Sequence, residues 1–467
     1  MTLLYQDWPV TVLGLGRFGG GTSATRFLAQ NGARVTVTDL KSAHDLADSL
    51  DSLQDVPLHR LALGEHPPDV FESCRMLVVN PAVPPGHPGV AAARQRGVDI
   101  TTEIDLFLRH QQGRVIGITG SNGKSTTAAL THHLLVNAGL TAWLGGNIGI
   151  SLLPQLEHIR NDHWVVLELS SFQLELLGTR RFRPEIALLT NFSPNHLDWH
   201  GTLENYRLAK QSIFAAQLPA DFSLVPASDL EQPSAQPWRI RGRRHEFGIA
   251  DTGDDGAFFE EGTLILRTNR GATEDSLQLT VPPQLPGPHN ACNAAAAAAA
   301  AWLAGASPLA FPRALQSFRP LPHRLQCVAE QQGRQFWNDS IATTPESAIA
   351  ALQYASGRAI LLAGGHDKGQ NLQAFADAIC QHTRGVVLMG QTAAALQLQI
   401  RNSTAAPPPP TAIASSFTHA FQLAVAMSRP GDIVLLSPGC ASYGWFRDYR
   451  DRGDQFTRMA QDTGLFP

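Results

Sequence analysis

The stretch "VIGITGSNGKSTTAAL" constrains the fold of this chain more than any other. An apolar run, Val115 to Ile118, breaks into a glycine-rich turn, and a segment of good helix formers follows. That order is a strand, a loop and a helix in an α/β layer. A loop in this place offers successive backbone N–H groups to a phosphate chain, at the positive end of the helix. Lys124 is placed to reach the outer phosphates and the Ser125 hydroxyl to join a magnesium shell, with Gly120, Ser121, Asn122, Gly123 and Thr126 completing the loop. It is a shortened variant of the usual phosphate loop, because Ile118 occupies the slot of the first glycine.

The same alternation occurs on either side. "PVTVLGLGRFGGGTSATRFLAQNGARVTVTDL" reads as strand, glycine turn, helix and a second strand ending at Asp39, and "RAILLAGGHDKGQ" and "GDIVLLSPGCAS" are apolar strands that end in glycine and polar residues. With 467 residues the chain exceeds what one core supports. The expected organisation is three α/β domains, 1–102, 103–320 and 321–467: two Rossmann-like layers flanking a central P-loop domain. The alanine run Ala294 to Ala301 is expected as a helix buried against a sheet, and "AAPPPPTA" as an exposed loop. A net charge of -4 gives no electrostatic case for nucleic acid. No apolar run is long enough for a membrane span and the N-terminus lacks a signal-peptide pattern, so a cytoplasmic protein is expected. Five scattered cysteines without a CxxC pair fit reduced thiols.

Other motifs leave alternatives open when read singly. "GLGRFG", Gly14 to Gly19, with Asp39 beyond it, suits a dinucleotide, any phosphate-bearing ligand, or close helix–strand packing. Glu168 ends the apolar strand of "VVLELSSFQLE", where it either holds magnesium or is a solvated acid at a strand edge. "LLTNFSPNHLDWH" gathers Asn191, His196 and Asp198, more in keeping with phosphate and magnesium than with zinc. Lys210 reads as an ordinary surface lysine of a helix. "NDSIATTPES" raises its own question: Ile341 is a branched aliphatic among polar residues, read either as a strand end dropping a side chain into the core or as part of a site.

Taken in order, "GITGSNGKSTT", "LGGNIG", "ELSSFQLE", "NHLD", "YRLAK", "HN" with Asn293, "LPHR", "NDS" and "LSPGCAS" resemble the muramyl (Mur) ligases, especially those that add glutamate to UDP-N-acetylmuramoyl-L-alanine. The resemblance runs from Gly14 to Phe456 and displaces the dehydrogenase that "GLGRFG" with Asp39 would suggest by itself. It implies a UDP site at Gly16, Arg17, Phe18, Asp39 and Asn80, continuing to Asn147, Ser170, Gln173 and His196 at the muramoyl end. It implies ATP on Lys124 and its loop, with Asn290, Asn293, Arg324 and Asp339 also contacting the nucleotide. Two magnesium ions would be served by Ser125, Glu168, His196 and Lys210, the last carbamylated as is typical of the family, which reverses the surface reading of that lysine. Lys124, Glu168, His196 and Lys210 are the implied catalytic set.

For the incoming amino acid the resemblance points to Ile341, Thr343, Lys368 and Ser442. D-glutamate-adding members usually carry a lysine where Ile341 stands. The forms "NDSIATTPES" and "SYGWF" resemble a smaller branch that adds L-glutamate and leaves a separate epimerase to invert the centre. L-Glutamate is therefore the favoured substrate here, with D-glutamate as the alternative. A monomer is expected. A non-catalytic nucleotide-binding regulator is disfavoured because all four catalytic side chains are kept together.

Overall fold

The computed structural model describes residues 3–16, 19–81, 83–84, 86–148, 151–178, 182–227, 238–260, 262–268, 275–280, 287–319, 321–355, 357–367 and 371–462. The chain divides into two compact units, one formed by the residues up to Phe318 apart from a short stretch before Pro288, the other by Arg319 onward.

The first unit contains two sheets. One has five parallel strands, β1 (Pro9–Leu13), β2 (Arg34–Asp39), β3 (Arg60–Leu63), β4 (Met76–Val79) and β5 (Asp99–Thr101), in the order β3-β2-β1-β4-β5. Its strand order reverses at β1, so the loop after Leu13 opens at a topological switch point, where α/β sheets bind ligands. The other has nine strands, β6 (Arg114–Thr119), β7 (Ala142–Gly146), β8 (Trp164–Glu168), β9 (Ile186–Leu189), β10 (Phe222–Pro226), β11 (Arg243–Gly248), β12 (Gly256–Glu260), β13 (Thr263–Arg267) and β14 (Asp275–Gln278). Their order is β14-β13-β12-β11-β10-β9-β6-β8-β7, parallel from β7 to β12, with β13 and β14 added antiparallel. β6 lies between β8 and β9, so the carboxyl ends of three strands converge beside the glycine loop. The alanine run lies in the helix Pro288–Leu303 and is buried throughout. Side chains no larger than methyl let that helix approach the helix after β6 and the strands beneath it.

The second unit has β15 (Gln326–Gln331), β16 (Arg334–Asn338), β17 (Ala359–Ala363), β18 (Thr383–Leu388), β19 (Thr411–Ile413) and β20 (Ile433–Leu436), in the order β15-β16-β20-β17-β18-β19, with β15 antiparallel and the rest parallel. Successive residues of its central strands feed opposite faces: Leu361, Ala363 and Leu435 enter one core cluster, Ile360, Leu362, Val434 and Leu436 the other. Burial on both faces explains why these strands are apolar runs and not alternating ones. The proline run lies in the irregular segment before β19. Three α/β domains are thus present, one per sheet. No helix among the described residues is long and apolar enough to cross a membrane.

Candidate active site

The glycine loop is held from outside by the irregular segment that follows β9. Asn191 Oδ1 accepts from the Asn122 amide at 2.8 Å, Asn191 Nδ2 and Thr190 Oγ1 donate to the Asn122 carbonyl, and the Ser121 hydroxyl donates to the Ser193 carbonyl at 3.0 Å. From the other side comes Asn293, which accepts from Thr127 Oγ1 and donates to Asn290 Oδ1, both at 3.3 Å. Gly123 has a φ of +79°, and a methyl group there would lie 2.4 Å from Asn293 Oδ1. A left-handed residue with no room for Cβ must be glycine. Thr190 and Asn191 were legible only as the polar end of an apolar strand, and their role in holding the loop was missed.

Lysines 124 and 210 meet on one carbonyl. Lys124 Nζ folds back to donate to Gly120 O at 2.9 Å and Ser121 O at 2.8 Å, and Lys210 Nζ donates to Gly120 O at 2.7 Å. Lys210 is on the helix Leu203–Gln211 and only 1% exposed, so it is not the surface lysine its helix pattern suggests. Its ammonium lies 4.7 Å from the Tyr206 ring centroid. Burial drives its pKa well below the usual lysine range, the Lys124 charge adds to the drop, and Glu168 opposes it. Tyr206, whose hydroxyl is 3.1 Å from Ser121 Oγ, is pushed up to about 12 by burial.

Glu168 is 2% exposed, which removes the solvated-acid reading. Its Oε1 accepts from Asn147 Nδ2 at 3.1 Å, whereas its buried Oε2 has no hydrogen-bond partner among the described residues. A buried carboxylate oxygen of this kind suits a cation ligand. Magnesium suits such a place, because it takes one or two carboxylates and completes its shell with phosphate oxygens and water. No group of three or more His, Cys, Asp or Glu side chains is assembled for a metal among the described residues. His196 caps the short helix Leu197–His200 in the left-handed conformation, φ 53°, with its ring 4.8 Å from that of Phe172. Backbone strain of this kind collects at functional sites. Ser170 and Gln173 form a capping box, each side chain accepting from the other's amide, at the start of the helix Ser171–Leu177.

In the first sheet, Asp39 accepts from the amides of Leu15, Gly16 and Lys41, and Asn80 donates to Gly14 O, so both side chains brace the glycine turn. Arg17, Phe18 and Lys368 lie outside the described residues.

Arg324, Asp339, Ile341, Thr343 and Ser442 belong to the second unit. Asp339 is spent on its own surroundings: Oδ1 accepts from the Leu325 amide and Oδ2 from the Ser437 hydroxyl. Burial raises its carboxyl to about 7, against the lowering effects of the Ser437 hydrogen bond and the Arg324 charge. β16 ends at Asn338, and Ala342, not Ile341, enters the core cluster; Ile341 is half-buried, with its amide donating to His323 O. The core reading of that isoleucine fails. Ser442 is buried beyond β20.

Comparison with known proteins accounts for all three domains. Residues 9–102 match the N-terminal domain model of MurD-like Mur ligases, 118–301 the Mur ligase middle domain, and 323–440 the Mur ligase glutamate ligase domain. A protein of Roseiflexus sp. (strain RS-1) named UDP-N-acetylmuramoylalanine–D-glutamate ligase is 40% identical, over 96% of this chain and 97% of its own. One of the same name from Geobacillus kaustophilus is 38% identical over 97% and 98%. Among solved structures, UDP-N-acetylmuramate–alanine ligase MurC from Thermotoga maritima aligns over 97% of this chain and 99% of its own, with a TM-score of 0.59 and 20% identity. MurF ligase from the same organism, solved with ADP, gives 0.55 and 16% over 98% and 96%. The order of motifs, the three sheets and full-length relatives agree: this chain belongs to the Mur ligase family.

Proposed function

We propose that this chain joins glutamate to UDP-N-acetylmuramoyl-L-alanine, at the expense of ATP and through an acyl phosphate, in peptidoglycan-precursor synthesis. The observation that carries this reading is the cluster at the glycine loop: a buried lysine with a depressed pKa, a second lysine on the same carbonyl, and a buried glutamate oxygen with no hydrogen-bond partner among the described residues. A passive nucleotide-binding module has no use for so unfavourable a grouping.

In the proposed reaction Lys124 leaves the Gly120 and Ser121 carbonyls for the γ-phosphate. The alanyl carboxylate attacks the γ-phosphorus, the bond to the β-phosphate oxygen breaks, and ADP departs. The amine of glutamate attacks the resulting acyl phosphate, and collapse of the tetrahedral intermediate breaks the carbon–oxygen bond and expels phosphate. Glu168, Ser125 and His196 would hold magnesium, which when bound draws charge from the phosphate oxygens. The Lys210 amine, held towards its neutral form, can take up carbon dioxide and release a proton, turning a neutral amine beside Lys124 into a carbamate anion. The three domains, divided near residues 102 and 320, would take UDP, ATP and the incoming amino acid in turn. Gly16, Arg17, Phe18, Asp39 and Asn80 are assigned to UDP, Asn147, Ser170 and Gln173 to the muramoyl end, and Thr343, Lys368 and Ser442 to the amino acid. The protein would act in the cytoplasm.

For the isomer, the names of the relatives support D-glutamate, which replaces L-glutamate as the leading reading. L-Glutamate stays as the second reading on one observation: Ile341 stays out of the core, where it offers no cation to a carboxylate. A charged hydrogen bond is worth about 1.5–3 kcal/mol. The two isomers should be assayed in parallel at equal concentration with UDP-N-acetylmuramoyl-L-alanine, ATP and magnesium, following phosphate release and product mass. Product with D-glutamate at the higher kcat/KM supports the leading reading, and a clear preference for L-glutamate reverses the order. No glutamyl product with either isomer rejects the ligase.

A further inference from the structure

Arg452 is fully buried, yet its three hydrogen bonds all end on neutral acceptors. Nε donates to Ser340 Oγ at 2.9 Å, Nη2 to Ser340 O at 2.8 Å, and Nη1 to Cys440 O at 3.1 Å. It projects from the helix Tyr449–Gln461, on a buried stripe with Gly453, Phe456 and Ala460. Gly453 lets the helix come close, since a methyl there would lie 2.2 Å from His323 Nδ1. Burying a guanidinium that no carboxylate hydrogen-bonds is costly even with the Asp339 charge nearby, and an apolar side chain of similar length would fill the space at less cost. What methionine cannot do is hold a hydroxyl and two carbonyls from separate loops at set distances, and lysine lacks the planar fork that does so.

The two loops are those after β16 and β20, neighbouring strands in the sheet. Ser340 precedes Ile341 and Thr343, and Cys440 lies two residues before Ser442. A backbone hydrogen bond from Gly439 to Ala342 joins the same loops at 2.9 Å, and the Ser340 hydroxyl donates onward to Tyr449 O at 2.7 Å. We propose that Arg452 is a positioning residue for the incoming amino acid, which sets the spacing between the Ile341–Thr343 turn and the Ser442 loop without touching the substrate. This rests on the ligase reading above.

The test uses the full chain with Arg452→Met, Arg452→Lys and Ser340→Ala, measuring KM separately for glutamate, ATP and UDP-N-acetylmuramoyl-L-alanine, the kcat/KM ratio of the two isomers, and Tm. The glutamate KM should rise about tenfold or more in Arg452→Met and less in Arg452→Lys and Ser340→Ala, with the other two KM values within about twofold and a narrower isomer ratio. Combining Ser340→Ala with Arg452→Met should add little, since both break one linkage. An unchanged glutamate KM, or three KM values that rise together in step with a falling Tm, overturns the proposal and leaves the ligase standing. If Arg452→Met does not fold, Ser340→Ala decides by the same criteria. If the wild-type chain uses no glutamate, the ligase reading falls, and this inference with it.

Discussion

The glycine loop after β6 and the turn after β16 are both short, polar and backed by a parallel sheet, but they satisfy their polar groups in opposite ways. The turn closes on itself. Asn338 donates to Gly453 O and Thr457 Oγ1, Asp339 has both oxygens occupied, and Arg452 fastens Ser340. At the glycine loop, side chains from Thr190, Asn191 and Asn293 fix the backbone, while Glu168 Oε2 has no hydrogen-bond partner among the described residues and two lysines crowd one carbonyl. Unsatisfied polar capacity in a rigid frame is what a phosphate-transferring centre requires before its ligands arrive. A self-satisfied turn, by contrast, offers shape. Changes to the charged side chains at the first loop should therefore cost activity ahead of stability, changes to its fixed backbone should cost stability, and changes in the second should cost stability or selectivity ahead of the chemical step.

The largest effect is expected from Lys124→Met, which should lower kcat for ATP-dependent phosphate release by roughly a thousandfold or more, with little change in Tm. A loss of activity explained by unfolding in circular dichroism would break the contrast. Glu168→Gln should cost on the order of a hundredfold and raise the magnesium concentration needed for half-maximal rate. Its Tm should hold or rise, because the amide removes a buried charge whose Oε2 has no hydrogen-bond partner among the described residues. Gly123→Ala, at φ +79° and against Asn293, should destabilise the chain by about 1–3 kcal/mol in denaturant titration.

The remaining effect belongs to the turn and appears with pH. Asp339 has a folded-state pKa of about 7, above the ordinary carboxyl value, so between about pH 4 and 7 the folded chain binds more protons than the unfolded one. Stability from this group is greatest in acid and is lost as pH rises through 7. Asp339→Asn should flatten that part of the Tm-against-pH curve, and an unaltered slope would show that Asp339 is not its source.

Much of the frame was legible in the sequence because buried parallel strands are apolar on both faces and end in glycine or polar residues: β1, β6, β8, β17 and β20 follow that rule. The antiparallel addition of β13 and β14 was not, since it breaks the alternation with helices on which the reading relied. Lys210 was misread from local pattern because its burial comes from tertiary packing beneath Gly120, which no helical period records. Resemblance to the family corrected it. Arg452 had a local signal that went unused, an arginine in register with Phe456 and Ala460, four and eight residues on, which puts it on an apolar helix face. The core reading of Ile341 failed because β16 ends three residues earlier, and the turn sends Ala342 inward in its place.

The account depends most on the alanyl carboxylate becoming an acyl phosphate at the glycine loop. UDP-N-acetylmuramoyl-L-alanine labelled with oxygen-18 in that carboxylate should be turned over with ATP, magnesium and the glutamate isomer the enzyme prefers, and the released phosphate analysed by mass spectrometry. One labelled oxygen in each phosphate is the predicted result, because the carboxylate oxygen that attacks the γ-phosphorus leaves with it. Unlabelled phosphate, formed alongside glutamyl product, would contradict the mechanism.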